Sequence, residues 1–348
     1  MNAIVARLAA GVMLAAVAAV LPATPGHAEQ WQQAAPIPVG ANEVIGASLG
    51  GHLYVYGGQG PRSEALGAFW RFDPAANTWE RLQPNPVPVH HGAMVGVADK
   101  LYLFGGFRLP ENGRVGWVPE RRAWAYDINS ATWSELPPMP TPRGALAATA
   151  AGTKVYVIGG AGIPHGMDLS DGLVGGGPSE MLGTVEVFDT EAATWSTRQP
   201  MPTPRNHHGL AHVSGTIYAV GGRVGSCYSN GFSSNVWVNE AYDIATDTWA
   251  MRAPMPTARS GIGVEVVGGV VHVMGGEGWV EDFGGVFRTH EAYDPSTDRW
   301  TKRVRMPTPR HGFATGMIDG RIHAVSGVNN AGGAGTLSVV EVNEVWEP

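Results

Sequence analysis

The sequence predicts an all-β protein, a six-bladed β-propeller with four antiparallel strands in each blade. Three observations support this prediction. Six tryptophans are each followed, 26 residues later, by a pair of small residues. A short apolar run leads into these pairs, and an aromatic–aspartate step precedes five of the tryptophans by six residues. A generic β-sandwich is the alternative, but it does not explain the constant interval.

The tryptophans and the small pairs delimit the constant part of a repeat of about fifty residues. The six tryptophans and their pairs are Trp31 with 57–58, Trp79 with 105–106, Trp133 with 159–160, Trp195 with 221–222, Trp249 with 275–276 and Trp300 with 326–327. From each pair to the next tryptophan the length varies between 22 and 36 residues. One variable loop per repeat is therefore expected to project into solvent.

The strands of one repeat follow from local patterns. Residues 101–104 are typical of the apolar runs before the pairs and predict a short, largely buried strand. In the step Tyr126-Asp127 the aspartate can accept hydrogen bonds from its own turn, and Trp133 opens the next strand. This pattern predicts a tight hairpin. Together with the innermost strand and the variable loop, it gives four strands per blade.

The two ends of the chain predict how the ring closes. Residues 341–348 match the third strand of an earlier repeat and stop before a fourth. The segment 31–38 matches 249–256, so the N-terminal strand should complete the last blade and leave no open sheet edge. Residues 29–348 are therefore expected to form a single domain.

Residues 1–28 have the pattern of a secretory signal peptide. Arg7 is the only charged residue, residues 8–21 are apolar, and small residues offer a cleavage site after Ala28. A membrane anchor, the alternative, needs about 20 apolar residues, and Pro22 interrupts the run. We expect an exported protein, periplasmic or secreted, with no membrane span after cleavage.

Composition excludes several functions. Without residues 1–28 the chain has 22 basic and 30 acidic residues, a poor balance for binding nucleic acid. Cys227 is the only cysteine, so no intramolecular disulfide can form. Two acidic loop clusters lack diagnostic spacing, so we expect no metal ion and no cofactor; they are His165, Asp168 and Asp171, and Glu277, Glu281 and Asp282.

Candidate ligand-binding residues are expected on the rim that carries the variable loops. Ten residues after four of the tryptophans lie arginines, with histidines close by, and two charged residues directly follow small pairs. These candidates are Arg143, Arg205, Arg259, Arg310, His91, His208, His311, Arg223 and Glu277. Guanidinium groups bind carboxylates in a fork geometry, so a small anionic ligand is one prediction. A purely structural role for the first four arginines stays open.

The small pairs, the aromatic–aspartate step and the spaced tryptophans together resemble the Kelch repeat, and the resemblance covers nearly all of residues 29–348. One branch of that family, exported six-bladed mutarotases of sialic acid, uses a Glu/Arg pair near the channel mouth. The resemblance makes Glu277 and Arg223 candidates for proton transfer and carboxylate capture, without a residue-by-residue match. Copper oxidases of the family use a tyrosine–histidine set and a Tyr-Cys crosslink. The absence of an adjacent Tyr-His pair argues against that chemistry.

The favoured function is less specific: a monomeric propeller that binds a ligand, for example an anionic carbohydrate, or a partner protein on its variable-loop face. Aromatic residues in the loops can anchor a protein interface or stack on sugar rings, or fold back over the blades. They are Phe107, Trp117, Phe232, Trp279, Phe283 and Phe287.

Overall fold

A computed structural model describes residues 28–60, 64–111, 116–168, 173, 179–225, 227, 234–278, 285–332 and 338–348. Within these residues the chain forms six four-stranded antiparallel sheets and two short two-stranded ones. The six large sheets are the blades of a propeller, which confirms the predicted fold. Of the predicted signal segment, residues 1–27 lie outside the described part of the chain.

The first three blades follow one another along the chain. Their strands, from the channel outward, are β2 (Asn42–Leu49), β3 (His52–Gln59), β4 (Phe69–Asp73) and β5 (Thr78–Arg81); β6 (Ala93–Val97), β7 (Lys100–Phe104), β10 (Ala123–Asp127) and β11 (Thr132–Leu136); and β12 (Ala147–Ala151), β13 (Lys154–Ile158), β16 (Val185–Asp189) and β17 (Thr194–Arg198). Two small hairpins extend the loops of the second and third blades; they pair β8 (Phe107–Arg108) with β9 (Val118–Pro119) and β14 (Ala161–Gly162) with β15 (Glu180–Met181).

The last three blades repeat the pattern. Their strands are β18 (Gly209–Val213), β19 (Thr216–Val220), β20 (Asn239–Asp243) and β21 (Thr248–Met251); β22 (Gly263–Val267), β23 (Val270–Met274), β24 (His290–Asp294) and β25 (Arg299–Lys302); and β26 (Ala314–Ile318), β27 (Arg321–Val325), β28 (Asn343–Glu347) and β1 (Gln30–Ala34). Strand β1 pairs antiparallel with β28, from Gln30 opposite Glu347 to Ala34 opposite Asn343. The N-terminal strand therefore closes the sixth blade, as the sequence predicts.

Each repeat tryptophan joins its own blade to the preceding one. The indole Nε1 of Trp133, for example, donates to the carbonyl oxygen of Gln83 at 3.0 Å. The other five indoles make the same contact at 2.8 to 2.9 Å, namely Trp31 with Val304, Trp79 with Ala35, Trp195 with Pro137, Trp249 with Gln199 and Trp300 with Ala253. The tryptophan thus supplies a directional bond as well as apolar surface to the seam.

The small pairs join each blade to the following one. Gly105 and Gly106 have φ angles of +55° and +102°, which glycine adopts without strain. The N–H of Gly106 donates to the carbonyl of Arg143 in the next blade, and a Cβ on Gly105 would lie 2.5 Å from that oxygen. In the sixth blade Ser326 replaces the first glycine, and its hydroxyl donates to the carbonyl of Ala41 at 3.0 Å.

The aspartate turns have the predicted geometry. Asp127 Oδ1 accepts the backbone N–H groups of Asn129 and Ser130, both at 3.0 Å. Ala131 then has a φ of +54°, which turns the chain into β11 and Trp133. These bonds lower the pKa of the Asp127 carboxyl, chiefly through the N–H of Ser130.

The apolar core lies in the seams between neighbouring blades. One cluster joins Tyr56 and Phe69 of the first blade to Leu101, Leu103 and Tyr126 of the second. A blade therefore buries both of its faces only when it packs between its two neighbouring blades. In the described part of the chain, the structure contains no helical segment with the length and hydropathy needed to cross a membrane.

Ring closure gives a direct prediction. Deleting residues 1–34 removes β1, exposes the edge of β28 and unpacks Trp31, so the free energy of unfolding should fall by several kcal/mol. Deleting residues 1–28 keeps β1 and serves as the control, and urea denaturation measures both. Equal stability of the two proteins would contradict closure by β1.

Candidate functional site

Six residues at equivalent positions, each twelve after its tryptophan, form a ring around the channel. All six have a positive φ angle. They are Glu43 (51°), His91 (55°), Ala145 (52°), His207 (52°), Gly261 (62°) and Gly312 (60°). Their backbones are linked in sequence, since Ala145 donates to His91, His207 to Ala145, Gly261 to His207 and Gly312 to Gly261, at 2.8 to 3.2 Å. Val44, the residue after Glu43, donates to Gly312 at 3.2 Å and links the first blade to the sixth. We call these six residues the channel ring.

A second tier lies over the channel ring. The residue eleven after each tryptophan forms a β-bridge or strand pair with the residue that follows the small pair of the same blade. The six pairs are Asn42 with Gln59, His90 with Phe107, Gly144 with Ala161, Asn206 with Arg223, Ser260 with Glu277 and His311 with Val328. The arrangement brings residues from several blades together at the channel.

Arg223 and Glu277, the two candidate catalytic residues, form one buried ion pair. Arg223 Nη1 contacts Glu277 Oε1 and lies 3.2 Å from Ser260 Oγ. Its Nη2 donates to the carbonyl of Cys227 and lies 3.2 Å from His207 Nε2. The second oxygen of Glu277 accepts the backbone N–H of Gly332 at 2.8 Å.

Glu43 and three histidines surround this ion pair. His91 Nε2 lies 3.5 Å from Glu43 Oε2, and His311 Nε2 lies 3.6 Å from both Glu43 Oε1 and Glu277 Oε2. We call Glu43, His91, His207, Arg223, Glu277 and His311 the central cluster. Five blades contribute to it, all except the third.

Burial sets the protonation of the central cluster. Burial, reinforced by the charge of Glu277, raises the pKa of Glu43 to about 8. For Glu277 burial acts in the same direction, but His311 and Arg223 outweigh it and lower its pKa. Burial, together with the Arg223 charge, lowers the pKa of His91 and His207 well below the ordinary value. These directions favour a protonated Glu43 and neutral His91 and His207 beside the ion pair of Arg223 and Glu277.

The space within the cluster is small. A cavity of about 20 Å³ lies among Glu43, His91, Arg223 and Glu277. A second cavity of about 120 Å³ lies on the channel side of the ring, lined by Glu43, His91, His207 and ring glycines. Sites for drug-sized ligands are typically about 300–1,000 Å³. These cavities suit an ion or a few water molecules better than a sugar.

The four repeated arginines are inside the blades, so their predicted placement on the rim is wrong. Arg143 is fully buried; its Nη1 contacts Glu186 Oε2 at 2.7 Å and its Nη2 donates to the carbonyl of Val157 at 3.1 Å. The equivalent ion pairs are Arg205 with Glu240, Arg259 with Glu291 and Arg310 with Glu344. Each pair lies within one blade, where burial leaves no access for a ligand.

Other predicted residues divide between the cluster and the blade seams. His91 and His311 belong to the central cluster, whereas His208 is buried beside Gly159, whose added Cβ would lie 2.5 Å from the imidazole. Phe107 and Trp117 are buried and stack at 5.4 Å, and Phe287 is buried as well, so these aromatics fold back over the blades. Six further residues named from the sequence lie outside the described residues, namely Asp171, Phe232, Trp279, Glu281, Asp282 and Phe283.

The sequence interpretation missed Glu43 and selected His208 in place of its neighbour His207. Their signal is their place in the repeat, because Glu43, His91 and His207 each follow a tryptophan by twelve residues. That position has a positive φ in every blade, which aims the residue at the channel. Counting from the tryptophans would have grouped these three residues.

Comparison with known proteins agrees with this architecture. A family model described as the KLHDC2/KLHL20/DRC7 Kelch-repeats domain matches residues 26–222, more than half of the chain. The chain belongs to the Kelch-repeat family. A Kelch motif model also matches residues 204–256 and 258–307 of this Kelch propeller. Propellers of this kind typically serve as scaffolds for protein–protein interaction.

Curated relatives of this Kelch propeller share its repeats at moderate identity. Kelch-like protein terF of Aspergillus terreus is 26% identical over 80% of this chain and 59% of the relative. Kelch-like protein 36 of Bos taurus is 26% identical over 81% of this chain and 42% of the relative. Kelch-like protein 7 of Rattus norvegicus is 29% identical over 73% of this chain and 46% of the relative. The chain thus spans about half the length of these relatives.

The buried arginines of this Kelch propeller give a stability prediction. Arg310→Met leaves the Glu344 carboxylate buried without its cation, so the free energy of unfolding should fall by about 3–5 kcal/mol. Adding Glu344→Gln removes the stranded charge and should recover part of the loss. Arg71→Met, which breaks an exposed pair with Glu80, should change stability by less than about 1 kcal/mol. Equal losses for the two single variants, measured by urea denaturation, would contradict the structural role.

Buried histidines predict acid sensitivity. Burial lowers the pKa of His90 and His290 to about 3, so between about pH 6.5 and 3 the unfolded chain binds more protons. Stability conferred by these groups is complete above about pH 6.5 and is lost as the pH falls through this window. Burial raises the pKa of Glu43 to about 8 and that of Glu265 to about 7, which has the opposite effect on the pH dependence of stability. The histidines whose pKa is lowered outnumber these two glutamates.

The measurement is the free energy of unfolding between about pH 7 and 4, which should decrease toward acid. His290→Phe removes one buried titrating group and should flatten the slope. His165→Ala, at an exposed loop residue, should leave the slope unchanged. A pH-independent stability would refute the assignment of buried neutral histidines.

Proposed function

We propose that the protein is an exported Kelch propeller that binds a partner protein on its variable-loop face, at a groove between the second and third blades. The observation that carries the proposal is the groove itself. It has a volume of about 770 Å³ and is lined by loop and link residues from Arg108 in the second blade to Asp168 in the third. It is far larger than the cavities of the central cluster.

The charges of the groove favour a protein over a small anion. Three arginines, at 108, 121 and 122, face three carboxylates, at 120, 135 and 168. Glu120 lies 2.9 Å from Arg122 and 3.4 Å from Arg108, so much of the positive charge is already compensated. The groove has balanced charges and prolines. It therefore complements the polar, mixed-charge surface of a protein better than it complements a small ligand with a single carboxylate.

Exposed apolar side chains lie on the same face. Leu109 follows Arg108 and is 37% exposed, and Met167 precedes Asp168 and is 45% exposed. Trp237, in the fourth blade, is 62% exposed. Its carbonyl oxygen accepts the backbone N–H of Met255, as the carbonyl of Arg121 accepts that of Met139, so the two residues lie at equivalent positions. Exposed aromatic and methionine side chains are enriched at protein interfaces.

The small-ligand alternatives have weaker support. An anionic carbohydrate, or turnover of sialic acid by a mutarotase, was predicted from Arg223 and Glu277, but these residues neutralise each other beside a cavity of about 20 Å³. A copper-dependent oxidase has no further observation in its favour. A partner protein on the variable-loop face is the function that the geometry supports best.

Export is supported by the position of the closing strand. Glu29 contacts Arg303 at 3.1 Å, and β1 begins at Gln30. Cleavage after Ala28 would therefore leave the sixth blade complete. N-terminal sequencing of the protein recovered from the cell exterior or periplasm should find Glu29 first, and an uncleaved cytoplasmic protein would contradict export.

The partner prediction is tested by capture with matched variants. Immobilised protein should retain a partner from the exported fraction of its own cells. Met167→Asp places a charge beside the groove and should abolish retention. Met251→Asp, at a side chain 62% exposed on the outermost strand β21, is the control and should retain the partner.

Three outcomes separate the alternatives. Loss of a bound protein with Met167→Asp alone supports the groove. Equal retention by both variants would refute it. Thermal stabilisation by sialic acid that persists in Met167→Asp and is lost in Arg223→Ala would instead favour the small-ligand hypothesis.

A further inference from the structure

The channel ring places a carboxylate and two imidazoles around one point. Donor atoms of Glu43, His91 and His207 all lie within 4.8 Å of one another. We propose that Glu43, His91 and His207 form a binding site for a divalent first-row transition-metal ion at the centre of the propeller. The site is separate from the groove, so the proposal does not depend on the partner protein.

The backbone directs these three side chains inward. Each occupies the same ring position with a φ of 51° to 55°, a conformation that non-glycine residues rarely adopt and that often marks functional sites. The other ring positions are Ala145, Gly261 and Gly312, which add no competing donor. A Cβ on Gly312 would lie 2.9 Å from Glu43 Cδ, so glycine there makes room for the carboxylate.

Neighbouring side chains orient the imidazoles for coordination. His207 Nδ1 bonds to Asn206 Oδ1, an acceptor, so its proton is on Nδ1 and Nε2 carries a lone pair. His91 Nδ1 bonds to His90, and its Nε2 faces Glu43 at 3.5 Å. Metal-binding histidines commonly bond through the second ring nitrogen in this way, which fixes the tautomer and the ring orientation.

The donor set indicates the class of metal. Two nitrogens and one oxygen suit Zn²⁺, Co²⁺ or Fe²⁺, whereas Ca²⁺ and Mg²⁺ prefer oxygen donors alone. The cavity of about 120 Å³ next to these residues leaves room for water at the remaining coordination positions. Binding would require neutral imidazoles and an ionised Glu43 carboxylate, so metal affinity would depend on pH.

Arg223 is the group that opposes a cation here. Its Nη2 lies 3.2 Å from His207 Nε2, and metal binding would replace this contact. Arg223 keeps its contacts to Glu277, Ser260 and the Cys227 carbonyl. The Glu277 carboxylate compensates the guanidinium charge, so the repulsion felt at the three donors is reduced.

Metal titration of the purified protein, without a histidine tag and after dialysis against EDTA, tests the site. Isothermal titration with Zn²⁺ should show one ion per chain, and Co²⁺ should give a visible absorption band. Glu43→Gln, His91→Gln and His207→Gln should each weaken Zn²⁺ binding by about 100-fold or more, since even outer partners of ligands change affinity by 10–100-fold. His165→Gln, on an exposed loop, should bind as the parent does.

Circular dichroism establishes that each variant is folded, and three independent ligand variants keep the test decisive if one is not. One-to-one uptake lost in folded ligand variants and kept in His165→Gln supports the site. Absence of saturable uptake by the parent protein overturns it. Unchanged affinity in the three ligand variants would do the same, because the ion would then be bound elsewhere.

Discussion

The hydrogen bonds across the blade seams are the constraint on which the rest of the structure depends. In each 26-residue segment the tryptophan indole binds a carbonyl of the blade before its own, as Trp133 binds Gln83, while the small pair at the other end contacts the blade after its own, as Gly160 binds Arg205. The two ends of the segment lie in consecutive blades and are bonded at different seams, and its constant length is a distance requirement between these two contacts. The variable loops cross no such pair of fixed points, which explains why their lengths differ freely.

The same seams create the chemistry of the channel. Backbone hydrogen bonds link the ring residues from His91 through to Gly312, and the positive φ at each ring position turns its side chain toward the axis. A blade can place a polar group there at the cost of a conformation strained for any residue but glycine. Glu43, His91 and His207 occupy such positions, whereas Gly261 and Gly312 leave space. The identity of the ring residues, more than the fold, decides what the channel can bind.

The fold was predictable because its signals are periodic, and the site was only partly so because its contacts are not. Trp31 and the C-terminal strand predicted ring closure from their matches to internal repeats. Arg223 and Glu277 were identified because they depart from the other blades at one repeat position. The burial of Arg143 was not predictable, since its partner Glu186 lies beyond a variable loop, 43 residues away. His207 and His208 are adjacent in sequence but have different surroundings, and only backbone geometry separates them.

Buried charge is handled differently in the blades and at the channel. Arg310 directs its donors to Glu344 and a carbonyl of its own blade, so that pair stabilises one sheet. Arg223 and Glu277 belong to the fourth and fifth blades, and Glu43 and His311 extend the cluster to the first and sixth. A species bound there would be held only by the closed ring. Its binding free energy would therefore add to the stability of the whole domain.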